Sequence, residues 1–350
     1  MKVLVMGTGS YYQKKKAGIQ GDVIAFVDNF KEGEYEEKKI IRPVDTSKYD
    51  YDRIYIMSVH FISMGYQLLG LGVERGKICF GANIEPYNDF ERNFISENNQ
   101  IVINNDNKIC YKTPEIEIAV NTFDELSNIR EIYGEYSYRF FTGDDSKKCV
   151  VMDIGANIAG ASVWFAQMQQ AEAVYAYEPF MDTVKSAMYN ISNNPSAAQK
   201  VELFPYGLGT EEEKKTIGYN PGMTCGLSTL EDINQKAFNI YKGWGMVSEE
   251  NNKECEIVIK DICKEIEIVI NKHPGCLLVI KMDCEGSEYG MVERMHDSGL
   301  LSKVSILMLE WHYNGSGQIE KRLKENGFTW FSFGKSETLG TIYAVNKEKL

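Results

Sequence analysis

Three stretches of this 350-residue chain carry side chains whose types and spacing could do chemistry. The first, Asp153-Ile154-Gly155-Ala156-Asn157 followed by Ala159-Gly160, ends the apolar run Val150-Val151-Met152. Small residues there let backbone approach a ligand, and a helix expected over 162–170 would turn free N–H groups toward a carboxylate. The second is Glu178-Pro179, which ends the next apolar run, Ala173–Tyr177. An acid in that place can accept hydrogen bonds from both hydroxyls of a ribose. Together these two strand ends describe a nucleoside site. The third stretch supplies acid–base groups: Lys281, Asp283 and Glu285 end the run Leu277–Met282, while Glu310 and His312 end Val304–Leu309. Open α/β sheets bind ligands at the carboxyl ends of their strands, so Asp283, Glu285, Glu310 and His312 can line one pocket.

Two nucleoside cofactors compete for the glycine loop. The pyrophosphate of NAD needs backbone donors around it, and Asp153 and Asn157 are awkward neighbours for such an anion. They suit the ammonium and carboxylate of an amino acid better. The residues therefore favour S-adenosylmethionine (SAM), with Asp153, Gly155, Ala156, Asn157 and Glu178 as its expected contacts.

The elements that must position these groups follow from the apolar runs. Seven strands are expected from Val150 onward: 150–154, 173–177, 201–206, 277–282, 304–309, 328–333 and 341–345. Only residues 334–340 separate the last two, too few for a parallel crossover, so they form an antiparallel hairpin. Five strands joined by crossovers and a terminal hairpin match the class I methyltransferase sheet, mostly parallel with its last strand antiparallel.

Over roughly residues 115–345 the chain resembles the FkbM-type SAM-dependent methyltransferases. The resemblance rests on Val-Val-Met-Asp-Ile-Gly-Ala-Asn at 150–157, Tyr-Glu-Pro at 177–179, Ile-Lys-Met-Asp-Cys-Glu-Gly-Ser-Glu at 280–288 and Glu-Trp-His at 310–312. The Lys-x-Asp-x-Glu-Gly-x-Glu string is the most specific part. One departure stands out: the family has Gly two residues after its Asn, where this chain has Ala159 and then Gly160. The resemblance implies O-methylation of a hydroxyl, commonly on a sugar or another small metabolite. Such a hydroxyl is weakly acidic, so a base must take its proton as the new bond forms. His312 is the expected base, because an unperturbed imidazole titrates closest to working pH. Asp283 orients it or takes the role itself, and Lys281 holds the carboxylates ionised. The same four residues, Lys281, Asp283, Glu285 and His312, could instead be a salt-bridged turn. No metal is assigned, since the carboxylates have no metal-specific spacing.

Residues 207–276 exceed what a simple crossover needs. Gly222–Ser228 reads as a loop leading into a helix with a Ser228/Glu231 capping box. This insertion is expected to cover the acceptor pocket, with Trp244 stacking on a sugar ring or plugging a surface. Upstream, Tyr138 in the segment 136–140 resembles the family's lead-in and either touches the SAM carboxylate or simply packs.

Ahead of all this, 1–83 alternates strands and helices: Val3–Met6, Val23–Val27, Ile54–Met57 and Lys77–Phe80 are strands, with a helix over 62–71. That is a small Rossmann-like unit. Gly7 and Gly9 follow its first strand, and Asp28 stands about 20 residues on, where a ribose-binding acid belongs. The third glycine of a dinucleotide loop is missing, however, and Tyr12 takes its place. A nucleotide site, a structural role and dimerisation all remain open there. An Asn-rich stretch from Glu97 to Asn107 marks a boundary, giving domains at 1–98, a linker with short bridging strands at 99–148, and 149–350. The acidic-then-basic runs 36–39 and 211–215 read as solvated loop or helix faces.

Composition narrows the remaining choices. Hydrophobic residues make up 43%, enough for a core in each half, which excludes a disordered chain. Thirty-eight Lys and Arg against 50 Asp and Glu leave a charge of −12, unfavourable for nucleic acid or an anionic membrane. No apolar stretch is long enough to span a bilayer. The first residues do not read as a signal peptide, and eight cysteines without a C-x-x-C pair read as reduced thiols of a cytoplasmic protein. The expected partner is a sugar or sugar nucleotide. Two alternatives stay open: an NAD-dependent oxidoreductase or epimerase using the Gly7/Gly9 loop, and a non-catalytic carbohydrate-binding protein.

Overall fold

The fold was read from a computed structural model that describes residues 1–84, 94–96, 98–135, 137–144, 146–243 and 247–350. The chain forms two compact units, Met1–Glu135 and Tyr136–Leu350. Among the described residues no helix is long and apolar enough to cross a membrane.

The first unit is built on six strands: β1 (Lys2–Met6), β2 (Asp22–Val27), β3 (Glu34–Tyr35), β4 (Lys38–Ile41), β5 (Arg53–Ile56) and β6 (Ile78–Phe80), in the order β3-β4-β2-β1-β5-β6. All pairs are parallel except β3 with β4. The β3–β4 hairpin corrects the loop expected at 36–39. Glu36 and Glu37 form its turn, with φ of 46° and 60°, while Ile40 and Ile41 pull β4 into the core. Its lysines stay at the sheet margin, where charge discourages further strand pairing. Strands β7 (Gln100–Ile103), β8 (Ile109–Lys112) and β9 (Glu117–Ala119) form their own antiparallel sheet. Together with the helix Phe123–Tyr133 they group with this unit rather than standing apart as a linker.

The second unit carries seven strands in one sheet: β10 (Cys149–Ile154), β11 (Ala171–Tyr177), β12 (Val201–Phe204), β16 (Leu277–Met282), β17 (Ile306–His312), β18 (Phe328–Gly334) and β19 (Leu339–Asn346). Their order is β12-β11-β10-β16-β17-β19-β18. The first five run parallel, and β19 enters antiparallel between β17 and β18. Every residue of β10, β16 and β17 is buried, as strands covered on both faces must be. By contrast β18, at the edge, buries one face and exposes Phe331 and Phe333. This is the class I methyltransferase sheet.

Between the third and fourth parallel strands, β13 (Gly207–Gly209), β14 (Glu213–Tyr219) and β15 (Lys253–Asp261) make a small sheet flanked by the helix Glu231–Gly243. The charged run at 211–215 is thus the start of β14, not a plain loop. It pairs along its length with β15 and buries Ile217 while exposing its charges. Asp261 then caps the helix Ile262–Lys272 by accepting from the Cys263 N–H at 2.9 Å.

Candidate active site

The carboxyl ends of β10, β11, β16 and β17 bring the expected residues together. Gly155 follows β10 with φ of 76°, and its N–H and that of Ala156 both bond the Tyr177 carbonyl. A Cβ on Gly155 would run into the carbonyl of Asp283, so only glycine lets the two strand ends close up. Asn157 and Ala159 also lie in the left-handed region, at φ of 50° and 65°. The family's glycine position is therefore met by an alanine holding a glycine's conformation.

Lys281 is the hub. It is 3% exposed, and its Nζ donates to the Gly155 carbonyl at 2.7 Å, with Asp153 Oδ1 at 3.1 Å and Asp283 Oδ2 at 3.9 Å. Burial works against its charge, but Asp153 and Asp283 outweigh it and raise the Lys281 pKa. Asp153 is wholly buried, and its other oxygen accepts from Ser162 Oγ at 2.5 Å. Asp153, expected to meet a donor ammonium, is paired here with Lys281. Strand alternation turns its side chain inward, where it holds Lys281 and the start of the helix Gly160–Gln167.

Glu178 is 6% exposed and accepts two backbone N–H groups, from Asn157 at 3.0 Å and Phe180 at 3.0 Å, one on each oxygen. Burial pushes its pKa up to about 7, against the lowering effect of those bonds. Each oxygen keeps a lone pair for a ribose hydroxyl. Nearby, Asn157 Oδ1 is buried with no hydrogen-bond partner among the described residues. An unsatisfied acceptor beside a buried carboxylate and a glycine cradle is a donor set that fits SAM.

On the acceptor side, Tyr138 Oη donates to Asp283 Oδ2 at 3.1 Å, and the Lys281 ammonium lies 5.4 Å from the Tyr138 ring centre. His312 Nε2 faces Asp283 Oδ1 at 3.8 Å and Glu285 Oε1 at 3.6 Å. Burial alone would lower the His312 pKa, but Glu285, Glu288 and Asp283 outweigh it and push it up to about 10. A pKa held up by three neighbouring carboxylates weakens the reading of His312 as a lone base. Burial likewise raises Glu285 to about 8, with the imidazole opposing. Glu310 pairs with Lys335, its Oε2 3.3 Å from Nζ, while its charge still adds to the rise at Glu285.

Glu288 is a buried acid at this site to which sequence reasoning gave no role. Wholly buried, it accepts from the His312 backbone N–H at 2.7 Å and sits 3.2 Å from His312 Nδ1. Its only signal was its place as the last acid of the 280–288 string. The capping box also resolves differently. The helix begins at Glu231, and Ser228 Oγ instead donates to the Glu285 carbonyl at 2.7 Å and accepts from Leu230 N–H. Asn157 Nδ2 donates to Cys225 Sγ at 3.1 Å, so the insertion touches both the glycine loop and the 283–288 turn. Tyr136, Glu97 and Trp244 lie outside the described residues.

Residues 1–79 match the family model described as C2185-like, N-terminal, and residues 153–329 match the methyltransferase FkbM domain. No curated protein matches the chain. Among solved structures, the FkbM methyltransferase of Methylobacillus flagellatus KT is 14% identical, covering 98% of this chain and 89% of that one at a TM-score of 0.34. The human methyltransferase 10 domain containing protein is 12% identical over 66% of this chain and 89% of its own, at 0.33. M. capricolum TrmK, solved with S-adenosylhomocysteine, is 10% identical over 58% and 63%, at 0.30. The FkbM match spans just over half of the chain, from the strand-end Asp153 to the start of β18, and takes in Glu178, Lys281, Asp283, Glu285, Glu288 and His312. This chain belongs to the FkbM family of SAM-dependent methyltransferases.

Proposed function

We propose that the protein methylates a hydroxyl of a small-molecule acceptor, a sugar or sugar nucleotide. The observation that supports this is the gathering of Asp283, Glu285 and His312 at the sheet edge next to Gly155, Lys281 and Glu178. SAM supplies an activated methyl group, which an acceptor oxygen takes as the carbon–sulfur bond electrons return to sulfur. Glu178 would hold the ribose hydroxyls, Gly155 and Ala156 would let the donor lie close to backbone, and Asn157 Oδ1 would accept from it. Asp153 acts beneath them by fixing Lys281. Tyr138 holds Asp283 in place through its hydroxyl.

The acceptor's proton must leave as the oxygen bonds carbon. It passes to the group formed by Asp283, Glu285 and His312, whose protonation belongs to the cluster rather than to one side chain. Carboxylates at a partly open edge are also natural acceptors for the several hydroxyls of a sugar. Much of the rate comes from alignment, because the methyl is already activated. All eight cysteines are free thiols, which fits the reducing cytoplasm.

The test is to incubate the protein with isotopically labelled SAM and a panel of sugars, sugar nucleotides and amine-bearing analogues. A labelled methyl ether is the expected product. Transfer to nitrogen or carbon, with hydroxyls untouched, would overturn the reading. His312→Gln that still binds SAM should lower kcat by about 10²–10⁴-fold.

A further inference from the structure

We propose that Asp283, Glu285 and His312 bind one divalent first-row transition cation. One ligand atom from each lies within 4.8 Å of the other two. His312 Nε2 stands 3.8 Å from Asp283 Oδ1 and 3.6 Å from Glu285 Oε1, both too long for hydrogen bonds. Among the described residues no hydrogen bond reaches that nitrogen, although the residue is only 5% exposed. A buried imidazole nitrogen aimed between two carboxylates without bonding either is a ligand geometry. Bonds of about 2.1 Å place neighbouring donors about 3 Å apart, so movement of less than about 1 Å per side chain closes the shell.

Independent support comes from the far side of the ring. Nδ1 lies 3.2 Å from Oε1 of Glu288, which is wholly buried and tied to the His312 backbone N–H as well. With Nδ1–H donating to that carboxylate, the Nε2 lone pair is left facing Asp283 and Glu285. Ligating histidines are oriented by such a partner. Glu285 also holds φ of 49°, a strained conformation for a non-glycine residue, and Ser228 Oγ pins its carbonyl. That strain aims its carboxylate at the imidazole. Three donors leave positions open for a water or an acceptor oxygen, and one nitrogen with two oxygens suits Mn²⁺, Fe²⁺ or Zn²⁺ better than Ca²⁺.

The second cluster of such side chains, Glu172, His273 and Cys276, lacks this feature. There Nδ1 bonds Glu172 at 2.6 Å and Nε2 lies 3.0 Å from Tyr175 Oη, so both ring nitrogens are taken. Use of the cation on an acceptor oxygen rests on the proposed O-methylation; its binding does not.

The experiment titrates chelator-stripped full-length protein, carrying Cys276→Ala to silence the second cluster, with Mn²⁺ by calorimetry and electron paramagnetic resonance. One bound Mn²⁺ is expected. Glu285→Gln and His312→Gln should each weaken it at least about 10-fold, and Glu288→Gln about 10–100-fold. A SAM-induced melting shift in each variant shows that it is folded, and Asp283→Asn substitutes for any variant that lacks one. No binding at millimolar Mn²⁺ in protein that still binds SAM overturns the proposal, as does unchanged affinity in the folded variants. Methyl-ether formation that persists in excess chelator, with no Mn²⁺ bound, sinks the cation site and leaves O-methylation standing. Bound Mn²⁺ without transfer to any hydroxyl supports the site and sinks O-methylation instead.

Discussion

The chain contains two glycine loops, each following the first strand of a parallel sheet, and they are built for different ends. In the first unit Tyr12 stands where a third glycine would let the helix pack tightly beneath a pyrophosphate. Its ring packs edge-on against Phe26 at 5.2 Å, and its hydroxyl donates to Glu36 at 2.7 Å. Asp28 Oδ1 accepts from the N–H groups of Phe30 and Lys31, and Lys31 Nζ donates to Thr8 Oγ1 at 2.8 Å. The buried lysine of this unit, Lys15, donates to the carbonyls of Gly81 and Ile84. In the second unit the corresponding loop closes over buried charge: Asp153, Lys281, Glu178, Glu288 and His312 are all less than 10% exposed. Four of its residues, Asn157, Ala159, Glu285 and Tyr313, hold positive φ without being glycine. Similar topology thus carries a loop plugged by an aromatic ring in one unit and a loop over buried charge in the other.

The sharpest way to break this contrast is to remove one buried cation from each unit. Lys281→Met leaves Asp153 buried and unpaired, and chemical denaturation should show a loss of about 3–5 kcal/mol. Lys15→Met removes the donor to the Gly81 and Ile84 carbonyls and should cost about 1–3 kcal/mol. Equal losses would erase the distinction.

Next come the glycines. Gly155→Ala must shift the Asp283 carbonyl, and at least about 2 kcal/mol of stability should go together with SAM binding. Gly9→Ala meets open space and should cost at most about 1 kcal/mol, with SAM affinity unchanged by calorimetry. If Gly9→Ala also abolished SAM binding, the first loop would be part of the donor site.

Glu178 gives a pH test. Its folded pKa, about 7, is raised above the ordinary 4.5, so the stability it contributes is present below 4.5 and fades as pH rises through 7. Donor affinity runs the other way, since ribose hydroxyls donate to the ionised form. Calorimetry between pH 5.5 and 8.5, spanning about 1.5 units on either side of that value, should show SAM affinity rising with pH. Glu178→Gln should flatten the profile and weaken binding by about 10–100-fold. The smallest effect belongs to Ala159→Gly. Release of the left-handed strain, offset by the lost methyl, should raise stability by no more than about 1 kcal/mol, read from the denaturant midpoint.

Much of this was legible beforehand because burial on both faces leaves an unbroken apolar run. β10, β16 and β17 could be read that way, and the short 334–340 connection required the hairpin that the structure contains. The polar residues at strand ends were legible for a related reason: a charged residue directly after such a run has to sit at the sheet edge. Strands that keep one polar face were hidden. β4 and β14 begin in lysine and glutamate runs whose exposed charges mask the buried Ile40 and Ile217. The grouping of residues 99–135 with the first unit was equally out of reach, since short strands show only which residues alternate, not which sheet they join.

By itself the amino-acid order determined the sheet, its handful of strand-end acids and the class of donor, because those depend on spacing within single elements. The tertiary structure decided which acids face one another. Asp153 turns in to hold Lys281, Glu310 turns to Lys335, and Glu288 reaches from the start of the helix Glu288–Asp297 to His312 at the end of β17. Those pairings join residues far apart in the chain, and whether a carboxylate ends up as an anchor, a ligand or a proton acceptor depends on the few ångströms that folding sets between them.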